Sequence, residues 1–133
     1  VKDRVGEKLA DTSYSWKTLR NLGATVSNGS DCPVELPDVL GGIQCAVSRT
    51  DLKASVAPYL PEEAFTVQEA LDSFTSGGAY ASFEELRKGK ILPGMLADFV
   101  LLDATPFSEK VSNIRNISVL ETYLAGKKVF TKS

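Results

Sequence analysis

Apolar residues in the first part of the chain recur at helical spacing and then at strand spacing. A helix is predicted over residues 13–22 by three apolar side chains, namely Trp16, Leu19 and Leu22. Ser13 or Ser15 is available as the N-cap of this helix, and Gly23 directly follows it. The next residues, 24–28, pass from apolar to polar and predict a short buried strand.

A second helix and a loop are predicted after this strand. The helix begins at Pro37, a residue suited to the first helical position, and reaches about Arg49. One face of this helix is apolar, formed by Val39, Leu40, Ile43, Ala46 and Val47. Residues 50–61 contain two prolines, and we expect them to form a loop.

The next helix has a clear beginning in the sequence. Thr66 and Glu69 stand at the spacing of a capping box, in which each side chain bonds the backbone of the other residue. The helix that follows is predicted to bury Val67, Leu71 and Phe74 and to end at Gly77-Gly78. A short further helix is predicted to hold three residues, Tyr80, Ala81 and Phe83.

The spacing changes from helical to strand-like after about residue 86. Residues 97–103 are continuously apolar except for two aspartates, which predicts a strand buried on both faces. Residues 119–124 and 127–131 flank Ala125-Gly126, and this pattern predicts a β-hairpin with a tight turn. The chain is therefore predicted to have two parts, an α/β part over 1–86 and a β-rich part over 87–133.

Composition excludes several classes of partner. The 133 residues suit one ordinary domain, and 15 basic against 17 acidic residues give a net charge of −2. Nucleic acid and anionic membranes require a concentrated basic surface, so neither is expected as a partner. No apolar stretch approaches the roughly 20 residues that span a bilayer. Two cysteines are too few for a disulfide framework, which favours reduced thiols and a cytoplasmic location.

The candidate chemistry lies directly after the predicted strand, in Gly29-Ser30-Asp31-Cys32-Pro33. Asp31 stands where the strand ends, and strand ends hold catalytic groups in α/β proteins. The chain has no histidine, and a lone carboxylate rarely holds a transition metal without histidine or cysteine partners. The residues alone therefore leave two alternatives for Asp31, a metal ligand whose partners are elsewhere or a carboxylate that caps a turn or the next helix.

Two other residues have a chemical and a structural interpretation. Cys32 could contact a metal or a substrate, but a small buried thiol is the more common use of such a residue. Asp98 lies inside a predicted strand, and a structural hydrogen bond is expected there rather than catalysis.

Four segments occur in an order that resembles the C-terminal portion of a metal-dependent amidohydrolase: Ser13–Leu19, Gly29–Glu35, Thr66–Leu71 and Lys88–Asp103. The most similar branch is amidohydrolase family 3, which includes enzymes similar to N-substituted formamide deformylase. Members of the family fold as a (β/α)8 barrel with a small β-sandwich built from both chain ends. The resemblance implies that residues 1–86 are the last strand-helix units of the barrel, and that residues 87–133 are strands of the sandwich.

The resemblance also implies a reaction and a role for Asp31. Family members hydrolyse carbon–nitrogen bonds of small amide-type, non-peptide substrates with a divalent metal, for which zinc is expected here. The serine–aspartate motif lies at the end of the eighth barrel strand, so Asp31 is the implied metal ligand and catalytic residue, which takes a proton from the attacking water.

The chain departs from the family pattern because it has no histidine, whereas the family takes its first metal ligands from a His-x-His pair. We therefore expect the chain alone to bind no metal and to lack hydrolase activity. An alternative hypothesis is a stand-alone, non-catalytic interaction or oligomerisation domain derived from an amidohydrolase. Missing neighbours would leave strand edges and apolar faces uncovered, so self-association of the chain is also expected.

Overall fold

The computed structural model describes residues 1–133 as six helices, two 3-10 helices and one small sheet. The helices are α1 (Lys2–Val5), α2 (Glu7–Ala10), α3 (Trp16–Asn21), α4 (Val39–Ser48), α5 (Val67–Phe74) and α6 (Ser76–Ala81). The 3-10 helices are Pro61–Glu63 and Val111–Asn116, and the strands are β1 (Phe99–Leu102), β2 (Val119–Leu124) and β3 (Lys127–Thr131). None of the helices is long and apolar enough to cross a membrane.

The core forms where α4 packs against the 3-10 helix Val111–Asn116. Five buried apolar residues make up this core: Ile43, Phe65, Ala70, Ile114 and Ile117. The buried Gln44 amide oxygen accepts a hydrogen bond from the backbone N–H of Arg115 at 3.1 Å, so the contact leaves this polar group satisfied. The core therefore draws on residues from both sides of position 86, and the division of the chain there stays a prediction.

The predicted capping box at the start of α5 is confirmed. The Thr66 hydroxyl accepts from the backbone N–H of Glu69 at 3.2 Å, and the Glu69 carboxylate accepts from the backbone N–H of Thr66 at 2.8 Å. The same carboxylate pairs with Lys17 and, at 2.9 Å, with Arg20 of α3. Burial raises the pKa of Glu69, but the hydrogen bonds from Lys17 and Thr66 outweigh it and leave that pKa below its usual value.

The beginning of α4 differs from the prediction. The helix begins at Val39 rather than at Pro37, because Asp38 is its N-cap and accepts a hydrogen bond from the backbone N–H of Gly41 at 2.8 Å. Asp38 also pairs with Arg115 at 3.2 Å. One side chain therefore stabilises the helix end and joins α4 to the 3-10 helix Val111–Asn116.

The predicted end of α5 at Gly77-Gly78 is wrong. This helix ends at Phe74, and Thr75 has non-helical backbone angles of φ −118° and ψ −87°. Both glycines lie inside α6, which begins at Ser76 and holds two of the three residues expected in the short helix, Tyr80 and Ala81. Phe83 lies beyond the helix and is almost fully exposed.

The predicted strand over 24–28 does not form in this chain. Residues 25–30 make one backbone–backbone hydrogen bond, from the N–H of Asn28 to the carbonyl of Ser73 at 3.1 Å. A strand requires a neighbouring strand for its ladder of hydrogen bonds, and no other strand lies beside this segment. The segment is therefore held by α5 and α6 instead of by a sheet.

The three strands form an antiparallel sheet in the order β1-β2-β3, which gives the chain the predicted combination of helices and a β-rich end. The predicted hairpin is confirmed, with Ala125 and Gly126 both at positive φ (49° and 77°), as a tight two-residue turn requires. The Asp98 carboxylate accepts from the backbone N–H of Ala125 at 2.6 Å, so its expected structural role is confirmed.

The prediction that β1 is buried on both faces is wrong. Val100 and Leu101 point to opposite faces of the sheet and are 48% and 45% exposed. The continuous apolar run resembles a strand covered on both sides, but no helix or second sheet within this chain covers either residue fully.

Replacement of Glu69 tests the contacts between α3 and α5. Because the folded-state pKa lies below the unfolded value, the ionised carboxylate stabilises the fold above about pH 4.3, and this contribution is lost as the pH falls. We expect Glu69→Gln to lower the free energy of unfolding at pH 7 by about 1–2 kcal/mol. In urea denaturation at several pH values, the free energy of unfolding of Glu69→Gln should decrease less between pH 7 and pH 3 than that of the unsubstituted chain. The matched control is Glu62→Gln, an exposed site without an ion pair, and an equal effect of both substitutions contradicts the assignment.

Two substitutions at Asp38 separate helix capping from ion pairing. Asp38→Ala removes both contacts and is expected to lower the free energy of unfolding by about 1 kcal/mol or more. Asp38→Asn keeps an oxygen that caps α4 and loses only the charge pair with Arg115, so most of the stability should remain. Chemical denaturation measures both values, and equal losses for the two variants contradict the capping role.

Candidate functional site

Asp31 lies in the exposed loop between the 24–30 segment and α4. Its backbone has φ 53°, in the left-handed region that aspartate tolerates better than most residues. The carbonyl of Asp31 accepts from the backbone N–H of Val34 at 2.8 Å, which closes a turn. The carboxylate itself has no hydrogen-bond partner in the protein. The aspartate therefore does not cap this turn or α4 with its side chain, since Asp38 caps the helix.

The residues around Asp31 do not complete a metal site. No group of three or more histidine, cysteine, aspartate or glutamate side chains comes together anywhere in residues 1–133. The adjacent Cys32 is exposed, so the expectation of a buried thiol is wrong; the turn after Asp31 keeps this residue at the surface. Asp31 can supply one carboxylate ligand, which alone is too few for a divalent metal held by protein side chains.

The 24–30 segment that leads to Asp31 is bonded to α5 through Ser73. Besides its backbone bond to Ser73, Asn28 donates from its side-chain nitrogen to the Ser73 hydroxyl at 2.9 Å. Ser73 is buried, and its hydroxyl donates in turn to the carbonyl of Ala70 at 2.6 Å. Asn28 and Ser73 were not predictable as contact residues, because neither the strand pattern nor the helix pattern distinguishes them.

Gly77 allows the same segment to approach α6. A Cβ atom at Gly77 would overlap the carbonyl oxygen of Val26 and lie 3.3 Å from its carbonyl carbon. At the neighbouring Gly78 the nearest atom to an added Cβ is the Ser27 hydroxyl at 4.0 Å, an ordinary contact. The two glycines, which the sequence suggested as a helix stop, therefore differ in function, and only Gly77 is required for close packing.

A cavity of about 230 Å³ lies beside Asn28 and Gly29, but Asp31 is not among its lining residues. Its polar groups have structural partners. Glu63 accepts hydrogen bonds from the hydroxyl and the backbone N–H of Thr18, and these bonds hold the pKa of this carboxyl below its usual value. Arg49 donates to the carbonyl of Tyr59 at 2.9 Å. Burial raises the pKa of the Cys45 thiol, which therefore stays protonated near neutral pH.

Comparison with known proteins identifies the family. Residues 1–130 match the family model described as "Amidohydrolase family". The chain is 36% identical to YtcJ of Bacillus subtilis, whose name describes it as an amidohydrolase, over 100% of this chain and 25% of that protein. It is 32% identical to N-substituted formamide deformylase of Arthrobacter pascens, over 83% of this chain and 20% of the enzyme.

Two further similarities extend this result. Protein LONG AFTER FAR-RED 3 of Arabidopsis thaliana is 35% identical over 93% of this chain and 21% of that protein. The crystal structure of an amidohydrolase from Thermotoga maritima superposes with a TM-score of 0.60 at 24% identity, over 90% of this chain and 26% of the other. The chain thus spans about a quarter or less of the length of the curated relatives that it matches. The resemblance expected from the four sequence motifs is confirmed, and the chain belongs to the amidohydrolase family.

Proposed function

We propose that this chain is the C-terminal part of a metal-dependent hydrolase that cleaves the carbon–nitrogen bond of a small amide-type, non-peptide substrate. Asp31 is the catalytic residue and the metal ligand that the chain contributes. The observation that supports this role most directly is the free Asp31 carboxylate, which lies in an exposed loop without a protein partner. The similarity to N-substituted formamide deformylase supports the class of bond.

Glu35 of the same loop is exposed and, like Asp31, has no hydrogen-bond or ion-pair partner, whereas three other carboxylates of the chain are occupied by structural contacts. Asp38 caps α4, while Glu63 bonds Thr18 and Glu69 pairs with α3. A carboxylate without such contacts is available to bind a cation or to accept a proton from water. A divalent metal, for which we propose zinc, supplies a water nucleophile near neutral pH when it is bound. Its remaining ligands come from residues outside these 133, since the chain has no histidine.

The test uses a polypeptide that contains this chain together with its upstream coding sequence. Asp31→Asn keeps the size of the side chain but removes its charge, so we expect kcat for an N-substituted amide substrate to fall by about 100-fold or more. Circular dichroism and thermal unfolding should stay unchanged, because the side chain has no bond to lose. The matched control is Glu35→Gln, an exposed carboxylate in the same loop. An unchanged kcat in Asp31→Asn, or an upstream sequence without a His-x-His strand, contradicts the proposal.

A second candidate function is a non-catalytic interaction domain, and the exposed apolar surface favours it. Several large apolar side chains between α6 and β1 are more than half exposed, including Phe83 (92%), Leu86 (86%) and Ile91 (85%). Such surface in a soluble protein indicates an interaction site. Binding of stoichiometric zinc by the purified 133-residue chain at micromolar affinity would contradict this second candidate.

The same surface leads us to propose that the 133-residue chain self-associates. Light scattering at high micromolar concentration should give a mass above the 14.3 kDa of one copy. Ile91→Lys places a charge in this surface and should shift the distribution toward the monomer. The matched control is Val56→Lys, which makes the same kind of change at a 58% exposed site in the 50–61 loop. A monodisperse monomer of the unsubstituted chain contradicts the proposal.

A further inference from the structure

We infer that Ser73 and Gly77 are positioning residues for Asp31, because they fix the 24–30 segment at whose end Asp31 stands. Neither residue forms a hydrogen bond with Asp31. This inference rests on the proposed function for the role of Asp31, but the contacts that support it are independent of any reaction.

Ser73 accounts for the hydrogen bonds of residues 25–30, while the N–H of Ala24 at the start of the segment donates to the carbonyl of Leu19 at 3.1 Å. Between residues 25 and 30, the backbone bond from Asn28 to Ser73 is the only backbone–backbone hydrogen bond. The one side-chain hydrogen bond of this stretch runs from the same Asn28 to the Ser73 hydroxyl. Both acceptor atoms, the carbonyl oxygen and the hydroxyl oxygen, therefore belong to Ser73 of α5, which is buried and 3% exposed.

The break between α5 and α6 makes the Ser73 carbonyl available. Carbonyls in the last turn of a helix lack the partner that a continued helix would provide. Because α5 ends at Phe74 and Thr75 leaves the helical conformation, the carbonyl of Ser73 can accept the Asn28 N–H. The Ser73 hydroxyl donates to Ala70 and keeps a lone pair for the Asn28 side chain.

Gly77 sets the distance between the segment and α6. An added Cβ would overlap the Val26 carbonyl oxygen, which is a backbone atom and cannot rotate away as a flexible side chain can. The segment or the helix must therefore move when any other residue replaces this glycine. Asn28 follows Val26 by two residues and precedes Asp31 by three, so such a movement is transmitted along the chain to the carboxylate. A displacement of about 1 Å can cost a catalytic step about 100-fold.

Adjacent substitutions in α6 test the geometry in the 133-residue chain. Gly77→Ala and Gly78→Ala give the same gain in helix propensity, but only the former meets the Val26 carbonyl. Hydrogen–deuterium exchange with residue-level fragmentation should show the Asn28 amide exchanging about fivefold faster or more in Gly77→Ala, and unchanged in Gly78→Ala. Ser73→Ala removes the acceptor for the Asn28 side chain and should also accelerate exchange of the Asn28 amide. This variant replaces Gly77→Ala in the test if Gly77→Ala does not fold. Unchanged Asn28 exchange in both Gly77→Ala and Ser73→Ala overturns the inference.

Kinetics in the longer polypeptide separate positioning from general stability. Gly77→Ala should lower kcat about tenfold or more while KM changes less than about twofold, because the reacting carboxylate moves and the substrate contacts made elsewhere do not. Gly78→Ala should leave both parameters unchanged. Equal kcat for the two variants overturns the inference even if the exchange rates differ. If the longer polypeptide hydrolyses no amide-type substrate, the proposed function fails, and the exchange experiment alone then decides whether Ser73 and Gly77 fix the segment.

Discussion

The packing of α4 against the 3-10 helix Val111–Asn116 is the contact on which the rest of the structure depends. Ile43 and Ile114 are the two large side chains that this contact buries almost completely. Gln44 bonds the backbone of Arg115 in the same interface, so close packing costs no unsatisfied polar group. The burial of these apolar side chains fixes α4, and with it the C-terminal end of the loop that contains Asp31.

The two ends of that loop are held by different kinds of interaction. At the C-terminal end, Asp38 caps α4 and pairs with Arg115, so a charged group determines where the helix begins. At the N-terminal end, neutral hydrogen bonds from Asn28 to Ser73 and the close approach at Gly77 hold the backbone. Between these points the Asp31 carboxylate has no hydrogen-bond partner, and its position depends on residues that are distant in sequence.

The small size of the core explains the extent of exposed apolar surface. Only 13 of 133 residues are buried, and residues such as Phe83, Leu86 and Val100 remain accessible to solvent. Contact with further apolar surface would remove each of these side chains from water and lower the free energy. The relatives of this chain are about four times as long, which agrees with a surface that other parts of a protein can cover.

Local chemistry by itself determined several elements of this protein. The Thr66–Glu69 capping box and the Ala125-Gly126 turn were predictable, because each depends on residues close in sequence. A structural hydrogen bond was also expected for Asp98, but its partner, the N–H of Ala125, is 27 residues away in the sequence. The order of four motifs also determined the family. Only the tertiary structure decided that residues 24–28 form no strand, that Gly77 lies inside a helix, and that Ser73 bonds Asn28. These features depend on which segments meet in space, and hydrophobic spacing along one segment contains no information about its neighbours.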